Sequence, residues 1–162
     1  MIQGVFTALV TPFNKDGSID LEAYKALLRM QVEHGIDGLV PVGTTGESPT
    51  LDAKEKDLMI RLAVEAADKK IPVIAGTGAN NTKSAIEATK RAKDIGADMT
   101  LQVAPYYNKP SEEGLYRHFT TIADEAGLPV ILYNVPGRSS VNMSSSLLLR
   151  LAEHPLIVGV KE

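Results

Sequence analysis

Six short apolar runs recur along the chain: "GVFTALV" (4–10), "GLVPV" (38–42), "IPVIAG" (71–76), "MTLQVA" (99–104), "LPVILYNV" (128–135) and "LIVGV" (156–160). Each is a continuous block rather than an alternation, the pattern of strands covered on both faces of a parallel sheet. Longer stretches between them carry helical periods. Leu21, Tyr24, Leu27 and Leu28 share one face, as do Leu58, Met59, Leu62 and Ala63. Ala85, Ile86, Thr89 and Ala92 form a third stripe, Leu115, Phe119, Ile122 and Ala123 a fourth, and a shorter helix is predicted at about 145–152. Glycine ends several of these periods, in "EHG", "DIG" and "EAG", where a helix C-terminus calls for positive φ.

Strand starts recur about every 30 residues, a βα repeat that implies right-handed crossovers and a parallel sheet. Two α/β architectures fit: an open doubly wound sheet and a (β/α)8 TIM barrel. "GTGANN" (76–81) lacks the third glycine of a dinucleotide fingerprint, and no phosphate-binding loop pattern occurs. Polar residues instead follow nearly every strand, in "GTTGE", "GTGAN", "PYYNKP", "YNVPGR" and "KE". A barrel gathers its strand ends on one rim and builds its site there, so the barrel is favoured. A complete barrel has eight such units in about 250 residues. The expectation is therefore the N-terminal portion of a single barrel domain over residues 1–162, with about six strands and five helices, the remaining barrel units being absent.

Composition narrows the function. The 162 residues are 44% hydrophobic and 23% charged, ordinary for one globular domain. Basic residues number 17 against 20 acidic, a formal charge of −3, and are interspersed with acids, so no nucleic-acid partner is expected. The absence of cysteine removes thiol nucleophiles, disulfides and thiolate metal sites. The amino terminus lacks a basic leader with a long apolar core, and no run approaches the roughly 18 apolar residues of a membrane span. A soluble, cytoplasmic protein without a membrane partner is expected.

The polar residues after the strands are the chemical candidates. Lys161 ends the sixth run. At a barrel strand's C-terminal end, against walls formed by Val158 and Val160, its ammonium would be desolvated and its lone pair exposed for Schiff-base chemistry. Spacing alone leaves open a lysine that simply faces solvent or neutralises Glu162. In "PVGTTGES" (41–48), Gly43 and Gly46 would let backbone approach a ligand, while Thr44 and Thr45 offer hydroxyls for a carboxylate; a capped strand-to-helix turn explains the same residues. Tyr106 and Tyr107 are expected at the end of strand four as packing or catalytic groups, with Ser111 as a helix N-cap. Tyr133, in strand five, packs or relays protons; Arg138, in the following loop, clamps a carboxylate or is solvated. His34, His118 and His154 have no ligand spacing, so no metal is expected.

In combination, "ALVTPF", "GTTGES", "IPVIAGTGANNT", "PYYNKPSEEGLYRHF", "YNVPGRS" and "VGVKE" resemble the pyruvate-dependent class I aldolases of the N-acetylneuraminate lyase superfamily, and within it the dihydrodipicolinate synthase family. The likeness runs through all 162 residues with the motifs in order. It implies that Lys161 forms a Schiff base with pyruvate and adds the enamine to aspartate β-semialdehyde, on the route to diaminopimelate and lysine, without cofactor or metal. It further implies that Tyr133 relays protons and Thr44 links it to Tyr107, which in the family reaches in from a neighbouring subunit of a homotetramer. Thr45, with the backbone at Gly43, would hold the pyruvate carboxylate and Arg138 that of the aldehyde.

Two departures from the family pattern stand out. Ser139 replaces the frequent threonine and keeps a hydroxyl. At positions where lysine-inhibited members of the family commonly carry a more polar site containing histidine and glutamate, Ser48, Asn80 and Tyr106 remain, but Ala53, Lys56 and Ser84 stand at the others; weak lysine feedback is the expectation. Two other readings compete: a sialic-acid or 2-keto-3-deoxy sugar-acid aldolase, against which Arg138 argues, and a non-catalytic half-barrel.

Overall fold

The computed structural model describes residues 2–162. In chain order the described strands and α-helices are β1 (Phe6–Ala8), α1 (Leu21–Glu33), β2 (Gly38–Val40), α2 (Ala53–Ala67), β3 (Ile74–Gly76), α3 (Thr82–Ile95), β4 (Met99–Val103), α4 (Glu112–Ala126), β5 (Val130–Tyr133), α5 (Pro136–Ser139), α6 (Ser145–Ala152) and β6 (Ile157–Lys161). β1 to β5 each fall inside the apolar run that predicted them, and β6 runs one residue past its run to include Lys161. The expected helices are joined by the single turn α5. Two compact units result: residues 1–76 with 95–98, and residues 77–94 with 99–162.

In the first unit β1 runs parallel to β2, with Phe6 opposite Gly38 and Ala8 opposite Val40. A parallel bridge from Leu39 to Val73 continues the pairing, and Gly76 N–H donates to the Pro41 carbonyl at 3.0 Å. Asp20 caps α1 by accepting from Ala23 N–H. Asp52 and Glu55 form a capping box on α2, each carboxylate accepting the other's backbone N–H at 2.8 Å. Leu9, Tyr24, Leu28, Leu39, Met59 and Ala63 are fully buried. The Tyr24 hydroxyl donates to the Met59 carbonyl, and burial pushes its pKa well above the ordinary tyrosine value.

The βα rhythm repeats a detail. In "GIDG" and "GADM" a glycine at φ +76° or +109° ends a helix, and the aspartate two residues on accepts a backbone N–H from the start of a strand segment. Asp37 accepts from Val5 at 2.7 Å and Asp98 from Val73 at 2.8 Å.

In the second unit β5 is central, parallel to β4 on one side and β6 on the other. The β5–β6 register shifts once: Val130 and Ile131 face Ile157 and Gly159, leaving Val158 as the extra residue of a bulge. The main core joins Leu115, Phe119 and Ala123 of α4, Val130 and Leu132 of β5, Leu147 and Leu151 of α6, and Ile157. Ser111 and Ser144 cap α4 and α6, each accepting at 3.2 Å from the N–H three residues on.

Two polar sites are buried in this unit. The Gln102 amide nitrogen lies within 2.9 Å of the Thr77, Thr89 and Thr100 hydroxyls. His118 is only 5% exposed; its Nδ1 pairs with the Thr82 hydroxyl at 2.9 Å, Nε2 has no hydrogen-bond partner among the described residues, and burial pulls its pKa down to about 4.

Candidate active site

The register of β5 and β6 assembles the centre of the site. Tyr133 and Lys161 are partners at the ends of adjacent parallel strands, so their side chains project from the same face. Lys161 Nζ lies 3.6 Å from the centroid of the Tyr133 ring. The phenol ring is an electron-rich surface that attracts an ammonium. Tyr133 is buried and Lys161 is exposed.

The valines do not enclose the lysine as expected. Side chains alternate along a strand, and Val160 pairs with Leu132, which points into the helix-facing core. Val158 and Val160 instead line an apolar groove of about 190 Å³ with Leu132, Leu148, Ala152 and Ile157. Lys161 therefore rests against the Tyr133 ring.

The residues after Tyr133 and Lys161 make a second set of contacts that the sequence reading missed. Asn134, 3% exposed, donates from its backbone N–H to the Lys161 carbonyl at 2.9 Å. Its Nδ2 donates to Asn142 Oδ1 at 2.8 Å and to the Glu162 carboxylate oxygens at 3.2 and 3.3 Å, while its Oδ1 accepts from Met143 N–H at 3.1 Å. The signal was the matched offset: if Tyr133 faces Lys161, then Asn134 and Glu162 fall together one step on.

Arg138 is exposed and sits in α5, not in a loop, because Pro136 starts a helical turn closed by Ser140 N–H on the Pro136 carbonyl. Ser139 is buried and its hydroxyl bonds the Val135 and Val141 carbonyls, so the hydroxyl at this position braces the turn.

Tyr106 and Tyr107 do not end β4, which stops at Val103; they lie in the connection to α4. Asn80 Nδ2 donates to the Tyr106 carbonyl at 3.2 Å, and Asn108 Nδ2 donates to the Asn80 carbonyl at 3.0 Å. With the backbone fixed on both sides, Tyr107 takes φ +73° and stands 89% exposed. Ser84 is exposed in the first turn of α3, its N–H accepted by Asn81 Oδ1.

The first unit carries the other candidates. Gly43 is buried, Thr44 and Thr45 are exposed, and Val42 holds φ +59°, a strained conformation for a β-branched residue. Gly46 and Glu47 N–H groups fold back on the Gly43 and Thr44 carbonyls at 3.1 Å, and the Thr11 hydroxyl donates to the Gly46 carbonyl at 2.7 Å. Two exposed hydroxyls thus stand on a tightly braced turn. Ser48 and Lys56 are half-buried and Ala53 is exposed, around the start of α2.

Of the histidines, His34 sits one residue beyond α1, its ring on the Met30 carbonyl, and His154 pairs with Asp124. Among the described residues no cluster of three His, Asp or Glu side chains could hold a metal ion, and no helix is long and apolar enough to cross a membrane.

Residues 1–162 match the Dihydrodipicolinate synthetase family throughout. The chain belongs to this family. It is 56% identical to the 4-hydroxy-tetrahydrodipicolinate synthase of Nitrosomonas eutropha, over 100% of this chain and 56% of that protein. Among solved structures it is similar to the chloride-inhibited dihydrodipicolinate synthase of Acinetobacter baumannii complexed with pyruvate: TM-score 0.97, 52% identity, 99% of this chain and 55% of the other. The dihydrodipicolinate synthase of Thermotoga maritima gives a TM-score of 0.96 at 45% identity, over 100% of this chain and 55% of the other. The fold is thus the TIM-barrel α/β class expected from the sequence, present in part. The chain spans about half the length of the curated relatives it matches.

Proposed function

We propose that this chain carries the Schiff-base chemistry of a 4-hydroxy-tetrahydrodipicolinate synthase, condensing pyruvate with aspartate β-semialdehyde for diaminopimelate and lysine biosynthesis in the cytoplasm. The observation that carries this reading is Lys161 Nζ held 3.6 Å from the Tyr133 ring centroid at the paired ends of β5 and β6. A lysine amine beside a phenol at strand ends suits carbonyl chemistry.

The deprotonated amine adds to the keto carbon of pyruvate. The resulting carbinolamine takes up a proton and loses water, leaving an imine on Lys161. Loss of a methyl proton gives the enamine, whose carbon adds to the aldehyde of the second substrate as the aldehyde oxygen is protonated. The substrate's own amine then attacks the imine carbon, the ring closes, and Lys161 leaves with its nitrogen restored. Tyr133 is the residue that gives and takes these protons. Thr45 and the backbone at Gly43 receive the pyruvate carboxylate, and Arg138 the carboxylate of the aldehyde, as a planar bidentate donor. The lysine nitrogen is itself the electron sink, so the scheme uses no cofactor or metal.

Thr44 relays between Tyr133 and a Tyr107 contributed by a neighbouring copy in a homotetramer; the 89% exposure of Tyr107 supports a role outside its own subunit. Ala53, Lys56 and Ser84 support weak feedback by lysine, with Ser48, Asn80 and Tyr106 retained. Incubation with pyruvate and borohydride followed by peptide mapping tests the reading. A reduced pyruvate adduct on Lys161, lost in Lys161→Ala, is expected; an adduct on another lysine would overturn the assignment.

A further inference from the structure

We propose that Asn134 and Glu162 form a positioning clamp that aims Lys161 at Tyr133. The proposal rests on the Schiff-base reading above and adds the device that sets the lysine's direction. Alternation sends Tyr133 and Lys161 to one face, and Asn134 and Glu162 to the other. A lysine side chain has four rotatable stem bonds, so its amine is placed only as well as the backbone beneath it.

Asn134 fixes that backbone from two sides. Its N–H holds the Lys161 carbonyl at 2.9 Å, and its Nδ2 holds the Glu162 carboxylate at 3.2 and 3.3 Å. The amide is anchored in turn by Asn142 and by Met143 N–H, just before the Ser144 cap of α6. Every polar atom of this buried amide is used, and the hydrogen bond to Glu162 is charge-assisted. The carboxylate oxygens that receive Nδ2 belong to the residue directly after Lys161. The clamp therefore sets the peptide plane from which the lysine departs. Asparagine is specific here because it presents both a donor and an acceptor.

That specificity provides the test. In Asn134→Asp the Met143 contact persists, but two carboxylates face each other at Glu162. In Asn134→Asp with Glu162→Gln, donor and acceptor are exchanged and the contact can re-form. Two readouts apply to variant chains whose urea midpoints show them folded. One is the upfield ring-current shift of the Lys161 ε-methylene signals, which requires no substrate. The other is the rate of borohydride trapping with pyruvate.

Asn134→Asp is expected to lose the shift and slow trapping by about tenfold or more, and the double variant to regain both. Should Asn134→Asp fail to fold, Glu162→Ala removes the clamp from its exposed side and is expected to lose the shift. Unchanged shift and trapping in folded Asn134→Asp would overturn the clamp, as would a folded double variant that recovers neither. A wild-type chain with the shift but no adduct on Lys161 would instead overturn the Schiff-base reading, and the shift alone would then decide the clamp.

Discussion

At Gly76 one missing methyl group decides whether the threonine turn can form. A Cβ there would stand 2.2 Å from the Val42 carbonyl oxygen, 2.6 Å from its carbon and 2.9 Å from Gly43 nitrogen. All three are backbone atoms, and Val42 is already at φ +59°, so the strain has no flexible side chain to absorb it. Gly76→Ala is expected to lower stability by about 2 kcal/mol or more, measured as a reduced urea midpoint. His118 gives the chain a pH dependence of known sign. Its pKa lies near 4 when folded and near 6.5 when unfolded, because burial disfavours the imidazolium. The unfolded chain therefore binds the proton first as pH falls. The contribution is complete above about pH 6.5 and is lost progressively down to about pH 4, at up to about 1.4 kcal/mol per pH unit. His118→Phe should flatten that slope between pH 6.5 and 4; an unchanged slope in urea titrations would show that the proton is taken up elsewhere.

At the scale of elements, helix starts depend on caps more than on propensity. The Asp52–Glu55 box satisfies two backbone N–H groups at the start of α2. Asp52→Ala should cost about 1 kcal/mol, with the denaturant slope unchanged. Element identity was legible in the sequence because continuous apolar runs and 3.6-residue stripes are strong signals. Helix α6 falls on its predicted span, 145–152, and Ser111 caps α4 as expected. What escaped was finer than periodicity. The face that Val158 and Val160 occupy depends on their pairing with β5 and on a one-residue bulge, neither of which an apolar run encodes. The α5 turn at Arg138 was hidden because "VPGRS" reads equally as a loop. The Asn134–Glu162 contact required the register itself. Lys161 and Tyr133 were named as chemical residues, but their 3.6 Å contact became visible only once those two strands were aligned.

At the scale of the molecule, β6 is a strand whose only described partner is β5. Among the described residues no strand pairs with its other edge, and Val158 and Val160 are 45% and 46% exposed beside the apolar groove. An exposed apolar edge strand is a template for pairing with another chain. The net charge of −3 spread over 162 residues offers little repulsion to oppose that contact. The 162-residue chain is therefore expected to self-associate with rising concentration in sedimentation velocity. Val160→Lys places a charge on the groove side of β6, away from the Tyr133 face. It should shift the distribution toward monomer while leaving the Lys161 ring-current shift in place. If both the wild-type chain and the variant remain monomeric at high concentration, the β6 edge is not sticky, and its exposed valines are tolerated as they stand.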